Sequence, residues 1–541
     1  MDVPPSSDGV GVGEGVWPKA AALSATRQTR ISGNVLRKEC IEIGQKNGFG
    51  QSFRCVYTDR RLPFSVDLDS IAKTSARVDS RAEFGHTKRT VIDKNIFREY
   101  DIRGIVGEHL NEAVVADLSR AIGTFFVRNN ARKIAIGFDA RQSSPVFAKI
   151  LSDGLNASGI DVVSVGQVPT PVLYHTVFTR DVDGGVMITG SHNPPDHNGF
   201  KICLGHAALF GEQIREIGAI AENGEFANGS GTSEEIFVLD QYCDDLARRI
   251  SMGTRPIKAV VDAGNGMAGV TAVPVFDLLG VEMVKLFVEP DSNFPNHHPD
   301  PTVLENLDDT IRAVRESGAD IGIAFDGDGD RIGVVDETGR ILWGDELMVL
   351  LSRAVLEEKP GATIIAEVKC SETLFDDIRA HGGNAVMWKA GHSLIKAKMK
   401  ETDAALAGEM SGHIFFADRF YGFDDATYAG ARVLEILSRS DKTLSELLAD
   451  LPKTFSTPEI RVDCADDRKF DVVRRITERF SKDHDVNTID GARIKFDHGW
   501  GLVRASNTQA ILVLRCEADS QEHLDQIEKA IRTAVEEAGR Q

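Results

Sequence analysis

Cysteines are few in this 541-residue chain, and none of its seven lies in a C-x-x-C or zinc-ligand spacing. In a chain of this length, isolated cysteines favour reduced thiols over a disulfide framework or a structural zinc site. No uninterrupted apolar run approaches the roughly 20 residues of a membrane helix, and the first residues lack the apolar core of a secretory signal. We therefore expect a cytoplasmic protein without a membrane partner.

Net positive charge is also lacking, because the formal net charge is −20. The first 90 residues contain 14 basic and 10 acidic side chains, so the remainder carries a balance of −24. A nucleic-acid-binding face needs clustered positive charge, so we expect no nucleic-acid partner. An anionic substrate has to be bound by local clusters of basic side chains, because the global field repels it.

Apolar patterning is weak in residues 1–90, where glycine, serine and arginine dominate. This composition predicts a largely disordered extension, with a short helix near Asn34–Ile43. From residue 91 onward, apolar strands alternate with helical patterns, which predicts α/β domains with parallel pairing. Among the predicted helices are Ser144–Ala157, Thr170–Thr179 and Asp308–Ser317. The C-terminal pattern of strand, helix, three strands and helix predicts a smaller α+β domain. The predicted domains surround a central cleft and span residues 91–236, 237–339, 340–451 and 452–541.

The segment TGSHNPPDHNGFK, residues 189–201, follows the apolar run 185–188, which predicts a strand that ends in a rigid loop. We expect Gly190 to permit a tight backbone and the two prolines to limit its movement, so that the Ser191 hydroxyl is held in one place. The G-x-S-x-G motif of acyl-transfer nucleophiles is missing from the chain. A simple turn serine remains the alternative, so the role of Ser191 depends on the other motifs.

Three carboxylates follow the apolar run Ile321–Phe325 in the motif DGDGDR. In an extended segment, Asp326, Asp328 and Asp330 would lie on one side, and the glycines would let the backbone curve around an ion. Oxygen ligands select Mg²⁺ or Ca²⁺ over thiophilic metals. An EF-hand is disfavoured because Arg331 occupies its glycine position and both flanks are strand-like; a solvated acidic turn is the other alternative. A serine beside such a triad indicates phosphoryl transfer, which depends on positioning and charge neutralisation.

Further loops carry groups that suit a phosphorylated sugar. RASNTQ, residues 504–509, offers a guanidinium group, hydroxyls and an amide, which suit a phosphate dianion. In GEMSGH, residues 408–413, we expect an extended loop in which Glu409 and Ser411 accept from and donate to neighbouring sugar hydroxyls. Residues 96–104, Lys369 and residues 388–393 add cationic and polar groups. Each of these segments would be ordinary polar surface if it stood alone.

Taken in order, TGSHNP, DGDGDR, GEMSGH and RASNT resemble the phosphoserine, metal, sugar-specificity and phosphate loops of the α-D-phosphohexomutase superfamily. The resemblance is closest to the bacterial phosphomannomutase/phosphoglucomutase branch and covers residues 91–537. It implies three α/β domains with mixed sheets and a C-terminal α+β domain of the TATA-box-protein type around a deep cleft. The glucosamine-mutase branch, which usually has DGDADR in the metal loop, is the alternative.

The resemblance also implies a reaction between a phosphorylated Ser191 and a hexose 1- or 6-phosphate of mannose or glucose. A hexose 1,6-bisphosphate serves as intermediate and activator. Ser191 and the three aspartates would hold Mg²⁺, and catalytic roles fall to Ser191, Lys201, His413 and Arg103. The implied substrate-binding residues are Tyr100, Arg331, Lys369, His392, Glu409, Met410, Ser411, Gly412, His413, Arg504, Ala505, Ser506, Asn507 and Thr508.

Two rival functions are disfavoured by the residues present. A non-catalytic sugar-phosphate-binding relative would have lost Ser191 or part of the aspartate triad, and both are intact. A phosphatase needs a water molecule that a closed cleft excludes. Glu409 and Ser411 are expected to contact the 3- and 4-hydroxyls, which mannose and glucose share, so we expect both sugars to react. For assembly we expect a monomer or a weak oligomer.

Overall fold

The structure described here is a computed structural model, and its described part comprises residues 91–507 and 509–540. The predicted extension, including the helix near Asn34–Ile43, lies outside these residues, and so does Thr508. Within the described ranges, no helix has both the length and the apolar character needed to cross a membrane.

The first α/β domain is built on a mixed sheet. Its elements are β1 (Ile102–Ile105), α1 (Glu112–Arg128), β2 (Lys133–Phe138), α2 (Ser144–Ala157), β3 (Asp161–Gln167), α3 (Thr170–Thr179), β4 (Gly184–Ile188), β5 (His197–Leu204), β6 (Ala207–Ala208), α4 (Glu212–Asn223) and β7 (Ser233–Glu235). The strand order is β1-β5-β4-β2-β3-β7, and β6 pairs with β5. Strand β2 is parallel to β3 and β4, whereas β5 is antiparallel to β4. The loop between β4 and β5 therefore lies at the carboxyl end of a central strand.

The second α/β domain has a smaller mixed sheet. Its elements are α5 (Leu239–Arg248), β8 (Lys258–Asp262), α6 (Gly269–Leu278), β9 (Glu282–Leu286), α7 (Asp308–Ser317), β10 (Ile321–Phe325), β11 (Ile332–Asp336) and β12 (Ile341–Leu342). The order is β12-β11-β10-β8-β9, with β8 parallel to β9 and β10, and β11 antiparallel to β10. The DGDGDR motif connects β10 to β11.

The third α/β domain repeats this arrangement. Its elements are α8 (Gly344–Glu358), β13 (Thr363–Glu367), α9 (Glu372–Ala380), β14 (Asn384–Trp388), α10 (His392–Thr402), β15 (Leu406–Gly408), β16 (Ile414–Phe416), α11 (Ala426–Ser438) and α12 (Leu444–Leu447). The order is β14-β13-β15-β16, in which β13 is parallel to β14 and β15, and β16 is antiparallel to β15. The GEMSGH motif connects β15 to β16.

The C-terminal domain is an antiparallel sheet covered by helices. Its elements are β17 (Phe455–Ser456), β18 (Ile460–Asp463), α13 (Lys469–Phe480), β19 (Val486–Asn487), β20 (Ala492–Phe496), β21 (Gly499–Ala505), β22 (Ile511–Ala518) and α14 (Gln521–Arg540). The order is β17-β22-β21-β20-β19, and β18 also pairs with β22. The RASNT motif spans the end of β21 and the start of its connection to β22.

Helices on both faces explain why the central strands of the α/β domains are apolar throughout. Every residue of β4 and β10 is buried, and the polar motifs begin where these strands end. Polar loops at the carboxyl ends of parallel strands are the usual position of ligand sites in α/β sheets. The predicted fold class, three α/β domains with mixed sheets and a C-terminal α+β domain, is confirmed.

Candidate active site

Ser191 lies in the tight loop between β4 and β5. Its backbone is left-handed, with a φ of 49°, which a non-glycine residue adopts only where its surroundings impose it. The Ser191 amide donates to Oγ1 of Thr189 at 2.8 Å, and its hydroxyl donates to Oδ2 of Asp326 at 3.2 Å. A Cβ atom at Gly327 would lie 2.4 Å from the Ser191 carbonyl oxygen. The serine loop and the DGDGDR loop are therefore in direct contact.

A buried arginine that the sequence analysis missed holds the serine loop. Arg141 follows β2, and its guanidinium group donates to the carbonyl oxygens of Ser191 at 2.9 Å and Asn193 at 2.6 Å. It also donates to the carbonyl oxygens of Pro194 and His197. Because a guanidinium group presents five N–H donors in a rigid fork, one side chain orders several loop carbonyls at once.

Asp139 balances the charge of Arg141, and we call the two residues the Asp139–Arg141 clamp. Oδ2 of Asp139 accepts from Nε of Arg141 at 3.2 Å and from the Gly190 amide at 3.1 Å. A Cβ atom at Gly190 would lie 2.3 Å from the guanidinium carbon of Arg141. Glycine is thus needed here because the arginine approaches closely. The residue with a left-handed backbone in this loop is Ser191 and not Gly190.

The aspartates of DGDGDR converge through a turn, and not through the extended segment that we predicted. The Gly329 amide bonds to the Asp326 carbonyl, and Oδ1 of Asp326 accepts the amides of Asp330 and Arg331 at 3.0 and 3.1 Å. The three carboxylates are buried and have oxygens within 4.8 Å of one another. Within the described part of the chain, Oδ1 of Asp328 and of Asp330 has no hydrogen-bond partner. Such oxygens suit Mg²⁺ or Ca²⁺, so these residues fit the predicted metal.

Lys201, on β5, compensates part of the charge of the triad. Its Nζ lies 2.7 Å from Oδ2 of Asp328 and 2.5 Å from Oδ2 of Asp330. Burial opposes its charge, but the aspartates outweigh burial and raise the pKa of Lys201, so the lysine is protonated at neutral pH. Burial also disfavours the Asp328 carboxylate, but Lys201 holds the pKa of Asp328 below its usual range. Burial and the neighbouring carboxylates raise the pKa of Asp326, which a bound cation would counteract.

His413 connects the second and third domains. Its Nε2 accepts from Nε of Arg331 at 2.9 Å, so its proton lies on Nδ1, which faces Oδ2 of Asp424 at 3.1 Å. Lys396 donates to Oδ1 of Asp424 at 2.9 Å. Burial disfavours the Asp424 carboxylate, but Lys396 and His413 lower the pKa of Asp424 well below its usual value. The His392 ring stacks on His413, and burial and the Lys396 charge lower the pKa of His392.

The GEMSGH loop is also a turn, where we predicted an extended loop. The Gly412 amide donates to the Glu409 carbonyl at 3.0 Å, which closes a turn through Met410 and Ser411. The Glu409 side chain is buried, and its Oε1 accepts from the Gly391 amide at 2.6 Å. Glu409 is therefore held by the third domain, while Ser411 is partly exposed.

Lys369 connects the third domain to the C-terminal domain. Its Nζ lies 3.1 Å from Oε2 of Glu459 and 3.7 Å from Oε1 of Glu367. Burial would lower the pKa of Lys369, but Glu367 and Glu459 raise it, so this side chain is a firmly protonated cation. A protonated lysine in this position suits a phosphate oxygen.

The phosphate loop begins at the end of β21. Arg504 is buried and donates from Nε to Oδ2 of Asp490 at 3.0 Å. Ala505 is the last residue of the strand, and Oγ of Ser506 accepts a backbone amide of the same loop at 3.2 Å. Thr508 lies outside the described residues.

The Tyr100 hydroxyl connects three domains. It donates to the carbonyl oxygen of Ala390 at 3.0 Å and accepts from Nδ2 of Asn507 at 2.8 Å. Burial raises the pKa of Tyr100, so the hydroxyl stays neutral. Arg103 lies nearby in the chain on β1, where it pairs with Asp101 at 2.5 Å and remains partly exposed.

Family models match this chain in the order of its domains. They are described as phosphoglucomutase/phosphomannomutase alpha/beta/alpha domain I (residues 94–228), domain II (240–339), domain III (343–455) and C-terminal domain (459–534). A phosphomannomutase/phosphoglucomutase of Pseudomonas putida is 46% identical over 455 residues, which covers 83% of this chain and 97% of the relative. The chain belongs to the phosphoglucomutase/phosphomannomutase family.

Other members of the family are similarly close. A phosphoglucomutase of Neisseria gonorrhoeae is 45% identical over 450 residues, covering 82% of this chain and 97% of the relative. The crystal structure of a phosphoglucomutase/phosphomannomutase family protein from Burkholderia thailandensis is 45% identical, with a TM-score of 0.79 over 83% of this chain and 98% of that one. The predicted superfamily is confirmed, and with it the prediction of an isomerase that acts by phosphotransfer.

Charged residues of the candidate site that the sequence analysis missed include Asp139, Arg141, Lys396 and Asp424. A signal for the first two was present, because they follow the apolar strand β2 as the aspartates follow β10. Lys396 lies inside helix α10, where a lysine is typical of a solvated face, so its buried pairing with Asp424 had no local signature.

Proposed function

We propose that this enzyme interconverts hexose 1-phosphates and hexose 6-phosphates of glucose and mannose. A phosphoryl group on Ser191 passes to the free 1- or 6-hydroxyl, and the hexose 1,6-bisphosphate reorients. Its other phosphoryl group then returns to Ser191. The observation that carries this proposal is the 3.2 Å contact between the Ser191 hydroxyl and Asp326, within a buried carboxylate triad.

The triad is the proposed Mg²⁺ site, with the phosphorylated Ser191 oxygen as a further ligand. The ion would neutralise charge on the transferring phosphoryl group. The chain's own contribution is positional, because the Asp139–Arg141 clamp holds the serine loop against the triad. Covalent catalysis through Ser191 divides one difficult transfer into two easier ones.

Proton transfer is assigned to Lys201 and His413, with Arg103 and Arg331 as charge-stabilising groups. Lys201 is protonated and can donate a proton as it leaves the aspartates. His413 presents an unprotonated Nε2 that Arg331 occupies, so it becomes available as a base when Arg331 turns to a phosphate group. The two residues thus differ in protonation, as an acid and a base in one site must.

Substrate recognition is proposed for the loops that meet around Tyr100. Arg504, Ser506, Asn507 and the undescribed Thr508 would bind the non-reacting phosphate, with the backbone of Ala505. Sugar hydroxyls fall to Glu409 and Ser411, with the turn at Met410 and Gly412 shaping the pocket. Lys369, His392 and Tyr100 complete the contact. Because the 3- and 4-hydroxyls are common to both sugars, glucose and mannose phosphates should both be accepted.

The decisive experiment measures both the turnover of sugar phosphates and the transfer of a labelled phosphate to the enzyme. Wild-type enzyme with Mg²⁺ is assayed with glucose 1-phosphate, mannose 1-phosphate and glucosamine 1-phosphate, each with a trace of bisphosphate. Labelled glucose 1,6-bisphosphate should transfer its phosphate to Ser191, and Ser191→Ala should lose both label and turnover. Ser230→Ala, an exposed serine of the same domain, is the matched control and should keep both.

Two outcomes would overturn parts of this proposal. Normal turnover with the label on another residue, or on none, contradicts the role of Ser191. Turnover of the glucosamine substrate alone moves the chain to the glucosamine branch. A cytoplasmic location, the absence of nucleic-acid and membrane partners, and a monomer or weak oligomer remain predictions of the sequence.

A further inference from the structure

A cluster of two histidines and one aspartate lies on the surface of the C-terminal domain. His498 is in the turn between β20 and β21, Asp519 follows β22, and His523 is in the first turn of α14. Nδ1 of His498 lies 3.0 Å from Oδ2 of Asp519, and Nδ1 of His523 lies 2.5 Å from Oδ1. The two imidazole rings are stacked, with centroids 3.8 Å apart and planes within 9°.

Regular secondary structure holds these side chains in place. The Asp519 amide donates to the His498 carbonyl at 3.1 Å, which continues the β21–β22 ladder by one step. The hydroxyl of Ser520 accepts from the His523 amide at 3.3 Å, and its carbonyl accepts from the Leu524 amide at 3.0 Å. The backbone that carries the three side chains is therefore ordered, and the binding of one ion by both histidines requires the imidazole rings to turn out of their parallel stack.

We propose that His498, Asp519 and His523 form a surface site for a divalent transition-metal ion of the zinc type. One imidazole nitrogen from each histidine and one carboxylate oxygen lie within 4.8 Å of one another. Two imidazoles and a carboxylate are a donor set that suits Zn²⁺, Ni²⁺ or Cu²⁺, whereas Mg²⁺ prefers oxygen donors alone. All three side chains are partly exposed, so an ion can enter and water can fill the remaining positions.

The cluster is separate from the candidate active site. His498 precedes the first residue of β21, and the phosphate loop begins at Arg504, the last residue but one of that seven-residue strand. At about 3.3 Å per residue, the two ends of the strand are about 20 Å apart. An ion on the cluster should therefore bind without occupying the aspartate triad.

The test is a zinc titration of the full-length protein with Mg²⁺ in excess, monitored by isothermal titration calorimetry. The variants His498→Gln, His523→Gln and Asp519→Asn each remove one ligand. The matched control is His381→Gln, because His381 is an exposed histidine that pairs with Asp377 and belongs to none of the three-ligand clusters found among the described residues. Melting temperatures without zinc and mutase rates verify that each variant is folded.

A double-histidine variant, which combines His498→Gln with His523→Gln, removes both imidazole ligands. We expect wild type and the His381→Gln control to bind one zinc ion more than this double-histidine variant. Each single-ligand variant should bind that ion at least about tenfold more weakly, since even outer-shell partners of a metal are worth about 10- to 100-fold. Equal zinc stoichiometry and affinity in wild type and the double-histidine variant would overturn the proposal. So would a loss of the same binding event in the His381→Gln control.

Discussion

Replacing Arg141 should slow the chemical step of this enzyme and change its substrate binding much less. The guanidinium group donates to loop carbonyls including those of Ser191 and Asn193, and it is paired with the buried Asp139. An Arg141→Lys variant keeps a positive charge but loses the planar fork, so it cannot reach all these acceptors at once. The left-handed backbone of Ser191 then loses the contacts that impose it.

The expected magnitude follows from the geometry. A displacement of the Ser191 hydroxyl by about 1 Å should lower kcat by about 100-fold, equivalent to about 2.7 kcal/mol of activation free energy. The KM for glucose 1-phosphate should change much less, because the phosphate loop and the sugar loop are in other domains. Arg141→Ala leaves a buried carboxylate unpaired and should lower the free energy of unfolding by about 3–5 kcal/mol.

The assay couples glucose 6-phosphate formation to a dehydrogenase and is combined with urea unfolding. Arg128→Lys, at the exposed end of α1, is the matched control and should leave both quantities unchanged. Gly190→Ala should reproduce the loss of kcat, because its Cβ would meet the Arg141 guanidinium group. When Gly190→Ala is combined with Arg141→Lys, the two losses of activation free energy should be less than additive. An unchanged kcat in folded Arg141→Lys would refute the proposed role of the Asp139–Arg141 clamp in positioning Ser191.

Four further outcomes are expected. Asp328→Asn should abolish the activation of turnover by Mg²⁺ while leaving the fold intact; activity that survives a chelator in wild type contradicts the metal assignment. Tyr100→Phe removes a hydroxyl shared by three domains and should lower the urea-derived free energy of unfolding by about 1–2 kcal/mol, and no change would show that the bridge is not stabilising. Burial raises the pKa of Asp425 to about 7, so between about pH 4 and pH 7 the folded protein retains a proton that the unfolded chain has released. The free energy of unfolding should therefore fall as pH rises through this window, by up to about 4 kcal/mol more in wild type than in Asp425→Asn. Parallel pH profiles of the two proteins would contradict this prediction. A chain that begins at residue 91 should keep its mutase rate, and a rate loss beyond about tenfold, about 1.4 kcal/mol of barrier, with the fold intact would show that the extension belongs to the catalytic body.

The strands and several helices could be predicted because their apolar patterns are local. Helices α2, α3 and α7 begin and end at the predicted residues, since a single apolar face or a flanking proline marks them. Helices α8 and α11 had no such signal, because they are buried on nearly every side and bury polar side chains along with apolar ones. Helix α1 was missed for a related reason, since it buries Ser119, Gly123 and Thr124 along with its apolar residues.

In the candidate site too, local motifs could be predicted and long-range contacts could not. Ser191 and the aspartate triad lie in short motifs, so their chemistry could be predicted from neighbouring residues. Arg141 binds carbonyl groups about 50 residues further along the chain, and Lys396 binds Asp424 on a different element. Contacts of this kind depend on how strands are ordered within a sheet. The convergence of the triad through a turn was missed because the spacing of the aspartates suits an extended segment equally well.

The ammonium group of Lys201 is a cation that the chain supplies to its own carboxylates. Because it is covalently attached and lies 2.5–2.7 Å from two of them, its effective concentration there is far above that of any free monovalent ion. The folded state can therefore form before a divalent ion has been acquired, with part of the negative charge of the triad already compensated. An incoming ion has to compete with this tethered cation, so sodium and potassium are disfavoured at the triad and a doubly charged ion has the advantage.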